Sequence, residues 1–566
     1  METLKVNNLT FAYSGSNENA LNDINFSVES GDFITICGRS GCGKSTLLRH
    51  LKPALTPAGT VKGNILYKGK NIKSIDLRSE ASSIGYVLQN PDNQVVTDKV
   101  WHELAFGLES LGYDTNTIRS RVAEMASFFG IQTWFTKSVT ELSGGQKQLL
   151  NLASIMVMQP DMLLLDEPTS QLDPIATVDF LNTIKRINIE LGTTIIIVEH
   201  HLDDVLPLSD RVIVMDEGKI VADTVPNKIG SIIYGENEAM FNALPIPMRL
   251  AVTLGSNGNP VTIKEGRKWL SSYLKDNNLD KNTCDVAATT TKSTPIPIPE
   301  VSNVKSLINL KEVWFRYEKK GDDIIRDLSL QVNEGEIYSI VGGNGTGKTT
   351  TLRLVAGLCQ PYRGTVKYNE LDVFKKRESI LANSEIVLMP QNPQALFVKK
   401  TVELDLKEVL KGRGIKKAKI NEKFQEIIDY FGIESLLKRH PYDLSGGEQQ
   451  IVAMAKILML SPKVLLLDEP TKALDSFFKY KLGEIIKKLR QDGVTIIIVS
   501  HDLDFCAKYS DRCSMLFNGN IVSTDIPKKF FRNNSFYTTS LNRLTRGILD
   551  DVSSYEEVIS ICQQMV

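Results

Sequence analysis

The sequence predicts an α/β protein built from two similar domains, each with a mostly parallel β-sheet flanked by helices. Length, an internal duplication and the spacing of apolar runs carry that prediction. At 566 residues the chain exceeds what a single hydrophobic core organises, so two or more domains are expected. The duplication has an offset of about 300 residues. Tyr13 stands 31 residues before Lys44, and Tyr317 stands 31 before Lys348. Gln89 precedes Ser143 by 54 residues, and Gln391 precedes Ser445 by 54. Ser143 and Ser445 each lie 23 residues before Asp166 and Asp468, and His200 and His501 follow those aspartates by 34 and 33. Landmarks repeated in one order at nearly fixed spacing exclude coincidence.

Within each half, short β-branched runs alternate with amphipathic segments, the pattern of a parallel sheet covered by helices. Phe33 to Cys37, Met162 to Leu165 and Thr194 to Val198 read as buried strands. Ile337 to Val341, Val464 to Leu467 and Thr495 to Val499 are their counterparts. All are too short for buried helices, and each ends at a polar or glycine-rich turn. The predicted domains are 1–228 and 307–526, joined by an insert and linker over 229–306 and followed by a tail over 527–566. Residues 237–279 have mixed apolar patterning that predicts a small appendage. Residues 281–304 are rich in threonine and proline and read as an extended tether. The tail aromatics Phe530, Phe531, Phe536 and Tyr537 are expected to pack on the second domain.

Bulk composition narrows the function classes. Apolar residues make up 42% and charged residues 23%, an ordinary globular balance. With a formal net charge of −1 and no strongly basic half, nucleic acid is not an expected partner. The seven cysteines form no CxxC pair and no metal-ligand spacing, so free thiols in a reducing compartment are expected. Met1-Glu2-Thr3-Leu4-Lys5 has no apolar signal region, and no apolar run reaches bilayer-spanning length. A transport role would therefore need membrane partners on other chains.

Two phosphate cradles are explicit. Gly38-Arg39-Ser40-Gly41-Cys42-Gly43-Lys44-Ser45 and Gly342-Gly343-Asn344-Gly345-Thr346-Gly347-Lys348-Thr349 both match GxxxxGK[ST] between a strand and a helix. The glycines let backbone N–H groups turn inward on a phosphate chain, and the helix N-terminus adds partial positive charge. Lys44 and Lys348 are expected to reach the β- and γ-phosphates, and Ser45 and Thr349 to ligate Mg²⁺. Asp166-Glu167 and Asp468-Glu469 end apolar strands. The aspartates are placed to hold Mg²⁺ near the phosphates, and the glutamates to polarise an attacking water.

Leu142-Ser143-Gly144-Gly145-Gln146 and Leu444-Ser445-Gly446-Gly447-Glu448 resemble the signature sequence of ATP-binding-cassette ATPases. Physically, Ser-Gly-Gly ahead of a helix offers a hydroxyl, open amides and a dipole to a γ-phosphate. The resemblance implies P-loop NTPase domains with a parallel core, an antiparallel β subdomain and a helical signature subdomain. It also implies that the cassettes pair head to tail within the chain around two ATP molecules. One site would combine Lys44, Asp166 and Glu167 with Ser445, Gly446 and Gly447. The other would combine Lys348, Asp468 and Glu469 with Ser143, Gly144 and Gly145. Tyr13 and Tyr317 match the position that stacks on adenine, and Thr46 and Thr350 continue the phosphate loops. Gln89 and Gln391 would approach Mg²⁺, and His200 and His501 match the histidine that contacts the γ-phosphate. Catalysis is thus expected from Glu167, Glu469, His200 and His501. Ser40 and Ser154 depart from the family's usual asparagine and arginine; Lys456 takes the latter place in the second half.

Gln89-Asn90-Pro91-Asp92-Asn93-Gln94, followed by Ala105-Phe106-Gly107, resembles the importers of the energy-coupling-factor type, which take up vitamins and some metal ions. Gln391-Asn392-Pro393-Gln394 departs from that pattern after the proline. The implied protein is a peripheral ATPase on the cytoplasmic face of the cell membrane. Its implied partners are a transmembrane coupling component and a substrate-binding component. A ribosome-associated twin-cassette ATPase is the rival class, against which stands a linker without a long charged arm. A fused ATPase of a sugar importer is a second rival, against which stand two intact sites.

Overall fold

The computed structural model describes residues 2–16, 18–256, 258–277, 305–411, 417–472, 474–535, 537–549 and 552–563. The predicted tether over 281–304, together with Phe536 and Cys284, lies outside the described residues. Contacts divide the chain into two compact units, Met1–Trp269 and Leu270–Val566.

In the first unit, β1 (Glu2–Tyr13), β2 (Leu21–Glu29), β4 (Gly59–Tyr67) and β5 (Lys70–Asn71) form an antiparallel sheet in the order β2-β1-β4-β5. β3 (Phe33–Gly38), β6 (Ile84–Val87), β7 (Met162–Asp166), β8 (Thr194–Val198), β9 (Arg211–Asp216) and β10 (Lys219–Thr224) form the second sheet, in the order β10-β9-β3-β8-β7-β6. Every pairing there is parallel except β10 with β9. The predicted strands fall on β3, β7 and β8, each buried along its whole length.

Why these runs lack polar alternation is clear from the layers. Leu163, Leu165, Ile195 and Ile197 face a core shared with the helical part, whereas Met162, Leu164, Ile196 and Val198 face one shared with the antiparallel sheet. Successive strand residues point to opposite faces, and here both faces are covered.

The second unit repeats the plan. β11 (Ser306–Phe315), β12 (Ile325–Asn333), β14 (Arg363–Tyr368) and β15 (Leu371–Asp372) form the order β12-β11-β14-β15. β13 (Ile337–Val341), β16 (Ile386–Met389), β17 (Val464–Asp468), β18 (Thr495–Val499), β19 (Arg512–Phe517) and β20 (Asn520–Asp525) form β16-β17-β18-β13-β19-β20.

The insert folds as short helices, including Glu238–Phe241 and Ile246–Thr253, whose Met240, Phe241 and Met248 join the first unit's core. Helix Ile263–Asp276 follows them in the chain. In the tail, helix Pro527–Asn533 seats Phe530 and Phe531 on Val341, Cys506 and Cys513. Their burial against the second unit follows the expectation from sequence. Among the described residues no helix is long and apolar enough to cross a membrane.

Candidate functional site

Each phosphate loop is the turn from an inner strand into a short helix. β3 leads into helix Lys44–His50 and β13 into helix Lys348–Val355. Gly43 and Gly347 precede these helices at φ of 102° and 103°, a region that L side chains rarely adopt. A Cβ on Gly43 would stand 2.5 Å from the Ala20 carbonyl oxygen, so the turn has no room for a side chain either. Lys44 Nζ donates to the carbonyls of Gly38 and Arg39, both at 2.9 Å. Lys348 Nζ makes the same pair with Gly342 and Gly343 at 3.0 Å. The ammonium is thus already held across the mouth of the loop that would receive a phosphate.

The parallel sheet brings the acids to these loops. Ser45 Oγ donates to Asp166 Oδ1 at 2.8 Å, and Thr349 Oγ1 to Asp468 Oδ1 at 3.0 Å. Burial pushes both aspartates above the ordinary carboxylate range, and the charge of the adjoining glutamate adds to the effect. A hydroxyl bonded to a buried carboxylate is a pair of hard oxygen donors that fits Mg²⁺.

Glu167 and Glu469 follow at φ of 47° and 50°. Left-handed backbone at a non-glycine residue costs about 1–3 kcal/mol and persists only where the surroundings over-determine it. Here the N–H of Glu167 donates to the Val198 carbonyl at 3.0 Å, and that of Glu469 to the Val499 carbonyl at 2.8 Å. Glu167 Oε1 lies 2.8 Å from His200 Nε2, and Glu167 Oε2 accepts the Gln89 side-chain amide at 2.6 Å. Glu469 Oε2 lies 2.8 Å from His501 Nδ1, and Glu469 Oε1 lies 3.6 Å from Lys348 Nζ. Burial opposes ionisation of both glutamates. His200 and Lys44 outweigh it at Glu167, as His501 and Lys348 do at Glu469, so both carboxyls titrate below their ordinary value. Both are therefore charged near neutral pH, the state a base toward water requires.

Tyr13 and Tyr317 expose their rings beside the loops, with hydroxyls 2.8 Å from Thr46 Oγ1 and 3.2 Å from Thr350 Oγ1. An open aromatic face there can take a flat heterocycle. Ser143 and Ser445 cap helices Gly144–Met156 and Gly446–Leu458, each in a reciprocal capping box with Gln146 or Glu448. Gln391 is exposed and has no hydrogen bond to Glu469 among the described residues, unlike Gln89 with Glu167.

Several site residues were not legible as such in the sequence. Tyr86 donates its hydroxyl to Asp166 Oδ2 at 3.0 Å, where the second unit has Leu388. Lys472 lies beside Glu469 and Asp468, where the first unit has Ser170, and burial lowers its pKa. Glu199, one residue before His200, is buried against Thr169. Aligning the two halves residue by residue exposes all three as differences.

After each glutamine loop comes a surface with apolar side chains left outward. In the first unit Val96, Trp101 and Phe106 are exposed, and Val96, Thr97, His102, Phe106 and Glu109 line a groove of about 610 Å³. In the second, Val398 and Leu404 are exposed.

Known proteins resemble this chain in sequence. The sequence model of the ABC transporter family matches residues 21–170 and 325–472, each span running from the antiparallel sheet past the acidic strand. A protein of Bacillus thuringiensis subsp. konkukian, bearing the name ABC transporter ATP-binding protein, is 41% identical over 558 residues, covering 99% of this chain and 98% of the relative. One of the same name from Methanosarcina acetivorans is 32% identical over 527 residues, covering 92% and 85%. Among solved structures, cbiO1 of Clostridium perfringens, titled as part of the ABC transporter complex cbiONQ, is 32% identical. It covers 45% of this chain and 96% of its own, with a TM-score of 0.39. With a family match in both halves and end-to-end relatives of that name, the chain belongs to the ABC transporter ATP-binding proteins and is an ATPase with two cassettes.

Proposed function

We propose that this ATPase drives an importer of the energy-coupling-factor type, powering uptake of a vitamin, a vitamin precursor or a metal ion through separate membrane subunits. The carrying observation is the pairing of the Gln89-Asn90-Pro91-Asp92-Asn93-Gln94 loop with a shallow surface groove directly after it, beside which Val96, Trp101 and Phe106 are exposed. The loop is stiff. Gln94 bonds back to the Leu88 N–H at 2.9 Å and the Tyr86 carbonyl at 3.1 Å, and Asp92 pairs with Lys147 at 2.6 Å. A shift of helix Val100–Ser110, pressed by a partner in the groove, would thus reach Gln89 and the carboxylate it touches. Such a partner is a transmembrane coupling component, which places this chain at the cytoplasmic face of the membrane.

In this reading the cassettes pair around two ATP molecules. The first site takes Lys44, Ser45, Asp166 and Glu167 from one cassette and Ser445 to Gly447 from the other. The second takes Lys348, Thr349, Asp468 and Glu469 with Ser143 to Gly145. Tyr13 and Tyr317 stack on adenine. Ser45, Asp166 and Gln89, and Thr349, Asp468 and Gln391, hold Mg²⁺, which when bound neutralises charge on the phosphate oxygens. Glu167 and Glu469 draw a proton from water as its oxygen bonds the γ-phosphorus and the bridging P–O bond breaks. His200 and His501 orient the carboxylates. ATP closes the pair only so far as it binds the closed form better.

Purification in detergent tests this reading. Small integral membrane proteins are expected to accompany the tagged chain, and Phe106→Asp is expected to release them. Co-purifying ribosomes, with no membrane protein, would refute it.

A further inference from the structure

The strands that carry the two histidines end differently. β8 runs into Val198-Glu199-His200, and β18 into Val499-Ser500-His501. Glu199 is 2% exposed, and its carboxylate accepts three hydrogen bonds. Oε1 takes the Thr169 N–H at 3.1 Å and the Thr169 hydroxyl at 2.7 Å; Oε2 takes the His200 N–H at 3.2 Å. Thr169 opens the turn that runs from Glu167 to Asp173, the cap of helix Pro174–Leu191. One buried carboxylate thus ties the histidine's backbone to the segment that follows the catalytic glutamate.

The second cassette has Ser500 in place of this carboxylate. Ser500 Oγ lies 3.3 Å from Thr471 Oγ1 and accepts the Asp502 N–H at 3.0 Å. The His501 N–H goes instead to Glu469 Oε2 at 3.2 Å, the oxygen that also meets the His501 ring. Glu469 therefore holds its histidine through backbone and ring together, and its other oxygen faces Lys348. Among the described residues Glu167 meets His200 through the ring, and its second oxygen accepts the Gln89 amide.

We propose that Glu199 is a positioning residue: by taking the His200 N–H it lets Glu167 turn one oxygen to the His200 ring and the other to Gln89, whereas Glu469, drawn to the His501 N–H as well, turns its second oxygen to Lys348. The first ATP site is then the one whose base is wired to the loop facing the membrane partner, and the second is insulated from it. A carboxylate supplies what a serine hydroxyl does not, two acceptor atoms that reach Thr169 and His200 at once. This inference rests on the reading of Glu167 as the base toward water.

The test is a pair of double-mutant cycles on the full-length chain, reading kcat and KM for ATP. In the first cassette, Glu199→Gln keeps shape and burial but turns an N–H₂ toward a donor. Gln89→Ala removes the other end of the link. Each is expected to lower kcat about tenfold, Glu199→Gln with KM unchanged within about twofold, and the double variant to fall no further than either single one. In the second cassette, Ser500→Ala and Gln391→Ala are expected to act independently. Glu199→Ser, copying the second cassette, provides a second version of the first cycle should the glutamine variant be unstable. Additive losses in the first cycle, or a rise in KM at constant kcat in Glu199→Gln, would overturn the proposal. Failure of the underlying reading looks different: Glu167→Gln and Glu469→Gln would then both turn over at the parental rate.

Discussion

Beneath the glutamine loop, the first cassette buries Glu103, whose carboxylate accepts the N–H groups of Val96 and Thr97 and the Thr97 hydroxyl. At the matching place the second cassette buries Asp405, which accepts the N–H groups of Val398 and Lys399 and pairs with Lys456 at 2.9 Å. Lys456 reaches it from the signature helix, where the first cassette has only Ser154, bonded to the Asn151 carbonyl. Both solutions anchor the loop by its backbone. They differ in how the buried charge is satisfied, by donors from one segment in the first cassette and by a cation from another helix in the second. The loops of both cassettes are thus tied electrostatically to their signature helices, by Asp92 with Lys147 in the first and by Asp405 with Lys456 in the second, and that of the first is tied through Gln89 to the Glu167 carboxylate as well.

The comparison can be broken at its most sensitive point first. Glu167→Gln combined with Glu469→Gln is expected to lower ATP hydrolysis by about 10²–10⁴-fold while nucleotide binding persists, measured by phosphate release and equilibrium dialysis. The single variants then rank the two sites. Next, Asp405→Ala leaves Lys456 buried without its acid and is expected to destabilise the second cassette by about 3–5 kcal/mol in urea unfolding. Glu103→Ala strands backbone donors but no cation, and its loss is expected to be smaller, about 1–3 kcal/mol. An equal loss would mean that the Lys456 pair adds nothing.

The smallest effect concerns pH. Burial pushes the Glu199 carboxyl up from 4.5 to about 7, with Glu167 adding to the shift and the Thr169 hydrogen bonds and His200 opposing it. Between those values the folded chain keeps a proton that the unfolded chain has lost. Stability is therefore highest below the unfolded value, falls as pH rises through the window and is level above it. Thermal midpoints from pH 5 to 8 are expected to drop less in Glu199→Gln than in the parent.

Much of the site was legible because its chemistry is written contiguously. GxxxxGK[ST] is a strand-to-helix turn in eight residues, and an apolar run ending in Asp-Glu is a buried strand delivering acids to the sheet's edge. Glu199 was not legible, because a lone glutamate after Thr194 to Val198 reads as a strand leaving the core. Only its placement against Thr169, thirty positions away, reveals the buried carboxylate. Asp405 and Lys456 look like surface charges on two amphipathic helices until those helices pack.

The sequence by itself determined the duplication, the α/β architecture, the two phosphate loops and the identity of the acids, since each depends on local geometry or on apolar periodicity. Tertiary structure alone decided which oxygen of each glutamate meets which partner, and how each buried charge beneath the glutamine loops is satisfied. Those outcomes turn on contacts between segments far apart in the chain, where differences of a few tenths of an ångström select one donor over another. No pattern along a single segment encodes them.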